Sequence, residues 1–372
     1  MRLNSVLDIL RCFDLPNQDH STWVVTPYPK SRGFSQSRIW QIECATQATA
    51  LVGAGPAANS RWCLRSWPLA EPGSQRLRWI HQQAWAAAQQ CSFILAPVFL
   101  KQQTETFIEY EGRLWHLEPW AIGHNDFHQP ERSVRMTRLA SVMRSFAKLH
   151  QCWLGAPSVA TSILLEPSDA FGRAYAGAGP SPGLENRMQL LNELVGDGSV
   201  IFELAREYWR KVDTRRSGLG AKWCTVIDNI EQHWHANHSN CRTQLEQRLG
   251  WKFPLGPILA DVWSDHLFFV EDRLSSIIDY GAMRIDTAAA DLSRCLSSLC
   301  GQNIDELRYA LQEYEAVRPL VDAERAAIQV FDESSRLLGP MVWLRWLFVE
   351  RRMAPSEIIL QRLQCLLEGH PF

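Results

Sequence analysis

Asp261, His266 and Asp279 are the residues whose types and spacing could do chemistry, and all three lie in one stretch, Leu255–Leu292 (LGPILADVWSDHLFFVEDRLSSIIDYGAMRIDTAAADL). An apolar run, Pro257–Leu259, meets a polar loop, Asp261–Asp265, and a second apolar run follows at Leu267–Val270. A turn at Glu271–Asp272 then leads into a strand, Leu274–Ile278, ending in Asp279-Tyr280-Gly281. Short strands of this kind deliver Asp261 and Asp279 at their ends, with His266 between them. Such a set suits phosphoryl transfer, where one carboxylate faces the acceptor hydroxyl and other ligands hold a metal on the phosphates. On spacing alone, an ordinary hairpin with surface acids is the alternative.

The stretch resembles the catalytic core of the aminoglycoside phosphotransferase and choline kinase family, small-molecule kinases with a protein-kinase-like fold. The family pattern is H-G-D-x-x-x-x-N, a strand, and D-F-G. The resemblance implies that Asp261 is the catalytic aspartate, that His266 stands at the asparagine, and that Asp279 is the metal-binding aspartate. Asp291 falls on the aspartate of the family's D-L-A, a brace for the loop. Leu259-Ala260 replace His-Gly, His266 replaces Asn and Tyr280 replaces Phe. An imidazole in the asparagine's place suits manganese better than magnesium, which prefers oxygen ligands. The plainer reading is that His266 packs and hydrogen-bonds, leaving Asp279 alone on the metal.

The elements that must position these residues can be read upstream. Trp23–Pro29 and Arg38–Ala45 have strand patterning around Ser31–Ser37. By the resemblance this is the nucleotide-covering hairpin, with Gly33 and Ser35 on the phosphates, although the protein-kinase form has three glycines. An Ala/Gly-rich turn fills Val52–Asn59, and Arg61–Trp67 reads as a strand closed by Pro68. It occupies the place of the strand carrying the family's lysine. No lysine lies between Lys30 and Lys101, so Arg65 is the candidate, a planar fork in place of a point charge. Gly73–Gln90 has helical spacing and occupies the place of the helix that supplies the lysine's glutamate partner. It contains no acid, and Glu71 lies just before it. Ile94–Leu100, Thr106–Tyr110 and Arg113–Pro119 continue the sheet, with Glu111-Gly112 as a hairpin turn. Leu114–Gly123 resembles the hinge, where backbone groups from Glu118 to Trp120 would meet the adenine edge.

Beyond a boundary near Ala121 the chain reads as helical, from Glu131–Leu154 through Met188–Val212, Trp223–His238 and a series after Asp291. Residues 155–186, rich in Gly, Pro and Ser, read as an irregular connection. His150 is expected as a helix C-terminal residue suited to the dipole there. His233, His235 and His238 do not share a helix face. The expected fold is α+β, bilobal and protein-kinase-like: residues 1–120 a nucleotide-binding lobe with an antiparallel sheet, and 121–372 a helical lobe carrying the catalytic and metal loops (255–292).

At 372 residues and 46% hydrophobic content the chain can bury such a core, and a net charge of −2 argues against nucleic acid or an anionic membrane as partner. Ten scattered cysteines without C-x-x-C suggest thiols in a reducing cytoplasm, and neither a signal peptide nor a long apolar span is apparent. The leading expectation is an ATP- or GTP-dependent phosphotransferase, with Mg2+ or Mn2+, acting on a hydroxyl of a small metabolite. A catalytically degenerate relative that binds a nucleotide or ligand is the alternative. The missing lysine and glutamate favour it; the intact Asp261 and Asp279 favour turnover. A third reading, without the resemblance, is a helical α+β binding protein with an aromatic interface.

Overall fold

The computed structural model describes residues 3–15, 23–28, 37–44, 61–70, 72–155, 177–212 and 218–368. Gly33, Ser35, the Val52–Asn59 turn, Glu71 and most of the 155–186 connection lie outside the described residues. In chain order the first elements are α1 (Leu3–Leu10), β1 (Trp23–Pro27), β2 (Arg38–Cys44), β3 (Arg61–Pro68), α2 (Ser74–Ala88), β4 (Phe107–Tyr110) and β5 (Arg113–Pro119). Next come α3 (Arg132–Gly155), β6 (Gly177–Gly179), α4 (Pro182–Lys211), α5 (Leu219–Glu246), β7 (Phe253–Ile258), β8 (Leu267–Val270), β9 (Arg273–Ile277) and β10 (Arg284–Asp286). Helices α6 (Ala288–Cys300), α7 (Ile304–Glu315), α8 (Asp322–Leu344) and α9 (Glu357–Glu368) complete the series. Among the described residues, one compact unit gathers those up to Asn125 together with His266–Gly281. The other gathers those from Asp126 to Asp265 and from Ala282 onward.

The first unit is built on an antiparallel sheet of order β1-β2-β3-β5-β4. Strand β3 is central and carries apolar residues on both faces, so its alternation sorts two cores. Trp62 and Leu64 join Trp40, Trp115 and the α1 residues Val6, Ile9 and Leu10. Trp67, two residues on from Arg65, packs instead with Leu77 of α2, Phe107 and Leu114. Arg65 therefore points to the α2 side of the sheet. Strands β8 and β9 pair through a two-residue turn, Glu271 (φ 47°) and Asp272 (φ 60°), the positive pair that a type I′ turn requires.

One expected strand is absent. Ile94–Leu100 forms no strand ladder, only isolated bridges of Ile94 with Ile277 and of Leu100 with Phe13. Pro97 offers no ladder donor, and the amides find separate acceptors, Val98 on the Leu117 carbonyl and Leu100 on that of Glu105.

In the second unit, β7 lies between β10 and β6, flanked by helices. Helix α4 starts earlier than its apolar spacing suggests, because Ser181 caps it through the Leu184 amide and Pro182 sits in the first turn. Its core includes Leu184, Phe202, Trp223, Phe253, Phe331 and Met341, each at most 1% exposed. The α+β expectation holds: an antiparallel sheet in the N-terminal part and helices through most of the C-terminal part.

Candidate active site

The first unit assembles a charged cluster around Asp279. This residue follows β9 with φ 69°, a left-handed backbone that a non-glycine residue adopts at a cost of about 1–2 kcal/mol. The structure around it holds the bend. The Tyr280 hydroxyl donates to the Ile277 carbonyl (2.7 Å) and accepts from the Leu95 amide (2.9 Å). Gly281 has no room for a side chain, since a Cβ would come within 2.8 Å of the Trp67 ring. The Asp279 side chain is left 41% exposed, and Arg65 Nη1 donates to its Oδ1 at 2.9 Å.

Arg65 is itself nearly buried, at 8%, and its second partner is Glu118, 3.9 Å away. The pairing follows from register: Cys63 faces Glu118 and Arg65 faces His116 across β3 and β5, so Glu118 is Arg65's diagonal neighbour on the same face. Where the resemblance leads one to expect a lysine and a helix glutamate, the structure has an arginine beside a glutamate of the neighbouring strand. Helix α2 brings a histidine to this side of the sheet: His81 bonds Thr106 Oγ1 (2.7 Å) and His116 (3.0 Å). Burial pushes His81 down to about 3 and holds His116 well below the usual imidazole range, where His81 and Arg65 add repulsion.

Burial alone would raise the Asp279 carboxyl, but Arg65 and then His266 outweigh it and hold it below the usual range, charged and able to take a cation. Glu118 goes the other way: burial raises it, Arg65 offsets part of the rise, and Asp279 adds repulsion. His266 is near enough to Asp279 to act on its carboxyl, and these two are the residues that would hold a divalent ion. No group of three His, Cys, Asp or Glu occurs among the described residues, so phosphate and water oxygens would complete the set, as magnesium-type sites usually require.

The second unit builds the loop that carries Asp261. Ala260 stands where the family has glycine and still takes the left-handed conformation, φ 69°. Asp291, fully buried, holds it there: its Oδ1 accepts from the Ala260 amide (2.6 Å) and its Oδ2 from the Leu259 amide (2.8 Å). His150 of α3 reaches Asp291 Oδ2 through Nε2 (3.2 Å) and Tyr314 Oη through Nδ1 (2.9 Å). Arg318 donates to Tyr314 Oη (3.1 Å) and to Glu324 (2.7 Å). His150 is therefore a buried member of a hydrogen-bonded chain, in place of the helix-end residue expected from sequence. The Asp261 carboxylate, about half exposed, accepts at Oδ1 from Trp263 Nε1 (2.8 Å) and Arg294 Nη2 (3.0 Å). Arg294 also lies over the Trp263 ring, 3.4 Å from its centroid.

The residues singled out from sequence thus fall into two sets. Arg65, Glu118, His266 and Asp279 belong to the first unit and Asp261 to the second, while Gly33 and Ser35 lie outside the described residues. Trp120 meets Tyr28 edge-on at 5.7 Å, and its amide donates to the Arg61 carbonyl. Sequence reasoning missed the Glu118 side chain, His150 and Arg294. Only Arg294 left a readable sign, one helical turn past Asp291 on α6.

The fold is similar to that of solved small-molecule phosphotransferases. It matches the crystal structure of spectinomycin phosphotransferase in complex with ADP and spectinomycin (TM-score 0.60, 9% identity, 99% of this chain and 94% of that one). It matches amicoumacin kinase in complex with AMP-PNP and Ca2+ equally well (TM-score 0.60, 12% identity, 100% and 95%). At such identities the likeness establishes the fold. In sequence, residues 178–328 match the model of the phosphotransferase enzyme family, bearing out the resemblance read from the Leu255–Leu292 stretch. Among curated relatives, the homoserine kinase of Rhodospirillum rubrum is 35% identical over 143 residues, 37% of this chain and 39% of that protein. The chain thus aligns with well under half the length of the relatives it matches.

Proposed function

We propose that the protein is a phosphotransferase that moves the terminal phosphoryl group of ATP or GTP to a hydroxyl of a small metabolite in the cytoplasm. The observation that carries this reading is Asp279, kept charged and accessible in a strained backbone by contacts dedicated to holding it. Strain of this kind persists only where the surroundings fix it, and it concentrates at functional sites. In this reading residues 1–120 serve the nucleotide, with Arg65 on the phosphates and the Gly33–Ser35 segment over them. The Glu118–Trp120 segment stands at the adenine edge. Asp279 and His266 would hold the divalent ion, which neutralises phosphate charge. Asp261 orients the acceptor hydroxyl and takes its proton, a contribution of about 10²–10⁴-fold. Charge neutralisation and alignment supply the remainder. Homoserine, named for the curated relatives, is one acceptor to try.

Thermal unfolding with ATP or GTP, each with Mg2+, Mn2+ or no metal, tests the reading, since binding to the folded state raises the midpoint. A metal-dependent rise that disappears in Asp279→Ala, followed by phosphate transfer to a hydroxylated acceptor, is the expected result. No rise under any condition would overturn it. With His266 as a ligand, Mn2+ should support larger shifts and faster turnover than Mg2+; equal occupancy and rates would remove the histidine from the metal.

A further inference from the structure

Three arginines of the second unit, Arg187, Arg284 and Arg294, act on one another, and two of them have a carboxylate partner, Asp286 for Arg284 and Asp261 for Arg294. Arg187 on α4 is half-buried, with Nε on Ser334 Oγ (3.0 Å), Nη2 on Ser335 Oγ (3.0 Å) and Nη1 on the Gly183 carbonyl (3.4 Å). Its guanidinium lies 4.6 Å from the centre of the Phe331 ring. All its hydrogen-bond partners among the described residues are neutral. The start of α4 presses on β10: a Cβ on Gly183 would lie 2.1 Å from Asp286 Oδ2. Arg284, on the same strand, is 35% exposed and brings its Nε to 3.5 Å from that oxygen. Neither atom has a hydrogen-bond partner, although Asp286 is fully buried. The other Asp286 oxygen accepts from Ser181 Oγ and the Thr287 amide. Arg294, 29% exposed, is the third cation and lies on Asp261.

Burial, and then repulsion from Arg284, pushes the Arg187 guanidinium down to about 10; Asp286 draws it part of the way back and Arg294 adds further repulsion. Tying α4 to the two serines of α8 needs donors but no charge, and a neutral side chain would avoid the repulsion. Asp286 offsets only part of that burden; a bound carboxylate or phosphate, which the guanidinium fork matches, would offset more of it.

We propose that Arg187 and Arg284, with Arg294 beside them, form a subsite for an anionic group of the acceptor. The molecule phosphorylated therefore carries a carboxylate or phosphate in addition to its hydroxyl. This rests on the phosphotransferase reading for the identity of the acceptor, but the subsite itself can be tested without turnover. Cationic amino alcohols are excluded as acceptors by the same charge.

The full-length protein is titrated with inorganic phosphate and, separately, with succinate, against chloride at matched ionic strength, and thermal midpoints are recorded. At least one anion should raise the midpoint of the unmodified protein, and which one does so distinguishes phosphate from carboxylate. Arg284→Gln, at a partly exposed strand position, and Arg187→Gln should each weaken that anion by about tenfold or more, the worth of a charge-assisted hydrogen bond. Asp279→Ala should leave it intact. The proposal is overturned if neither anion acts beyond chloride, if both arginine variants keep the full shift, or if Asp279→Ala alone abolishes it. An anion effect that persists where no nucleotide effect is found would remove the phosphotransferase reading and keep the subsite. Among acceptors, hydroxy acids and hydroxylated phosphate esters should be phosphorylated ahead of neutral polyols, and turnover confined to amino alcohols would also overturn the proposal.

Discussion

Replacing Arg65 with methionine removes a cation shared by two carboxylates with unequal access to water. Asp279, 41% exposed, can turn to solvent and loses little, whereas Glu118, 13% exposed, cannot. Leaving one charge of a buried pair unmatched costs about 3–5 kcal/mol, but Glu118 can escape by taking a proton. From its ordinary value of 4.5, protonation at pH 7 costs about 3.4 kcal/mol (2.5 pH units at about 1.36 each), and this caps the penalty. The folded variant then holds a proton that the unfolded chain releases, so acid favours the folded form. Its deficit against the unmodified protein should accordingly narrow by about 1.4 kcal/mol per pH unit, or about 2 kcal/mol between pH 7 and 5.5. Urea unfolding of both proteins at pH 7, 6 and 5.5, followed by tryptophan fluorescence, measures the difference, and effects common to both proteins cancel. A deficit that stays flat with pH would refute Glu118 as the partner. A deficit near zero at pH 7 would refute the idea that Arg65 neutralises buried charge at all.

Other outcomes follow from the same contacts. Asp261→Asn should lower kcat by about 10²–10⁴-fold and leave the nucleotide-induced thermal shift in place, because its contacts lie in the second unit; losing both together would contradict the division of roles. His81 has a depressed folded value, so the stability it contributes is complete above its ordinary 6.5 and is lost as pH falls from there towards about 3. Urea midpoints should register about 2 kcal/mol of loss between pH 6.5 and 5 from this residue, and His81→Gln should flatten that slope. His150→Ala removes a buried partner of both Asp291 and Tyr314 and should cost about 1–3 kcal/mol of stability. It should also lower kcat more than it changes the KM for nucleotide, and an unchanged kcat would show that the loop keeps its shape without the histidine.

Local pattern made much of this molecule legible. The alternation in β2, the apolar spacing of α2 and α3 and the paired strands before Asp279 all declare themselves, because period and turn chemistry are properties of neighbours in sequence. Non-local pairing does not. Strand β3 pairs with β5, with β4 outside them at the edge, so the Glu118 that answers Arg65 lies 53 positions later in the chain. Nothing in the composition of α2, which lacks an acid, announces that the carboxylate near Arg65 comes from a strand. His150 was misread for a related reason: a histidine near a helix end has an adequate local explanation, and only tertiary packing brings it to Asp291 and Tyr314. Ile94–Leu100 shows the opposite error, an apolar run that one proline and scattered acceptors keep out of the sheet.

The carboxylate that holds the Leu259 and Ala260 amides comes from α6, and its own partners reach through α3 and α7 to Glu324 at the start of α8. The loop carrying Asp261 therefore cannot loosen while those helices stay packed. Its two amide hydrogens should exchange with solvent as slowly as those of the surrounding helices, and only through the opening that unfolds the whole unit. Heat would then offer no intermediate in which the helical part is intact but the loop has come undone. The temperature at which Asp261 loses its place should be the melting temperature of the helices themselves.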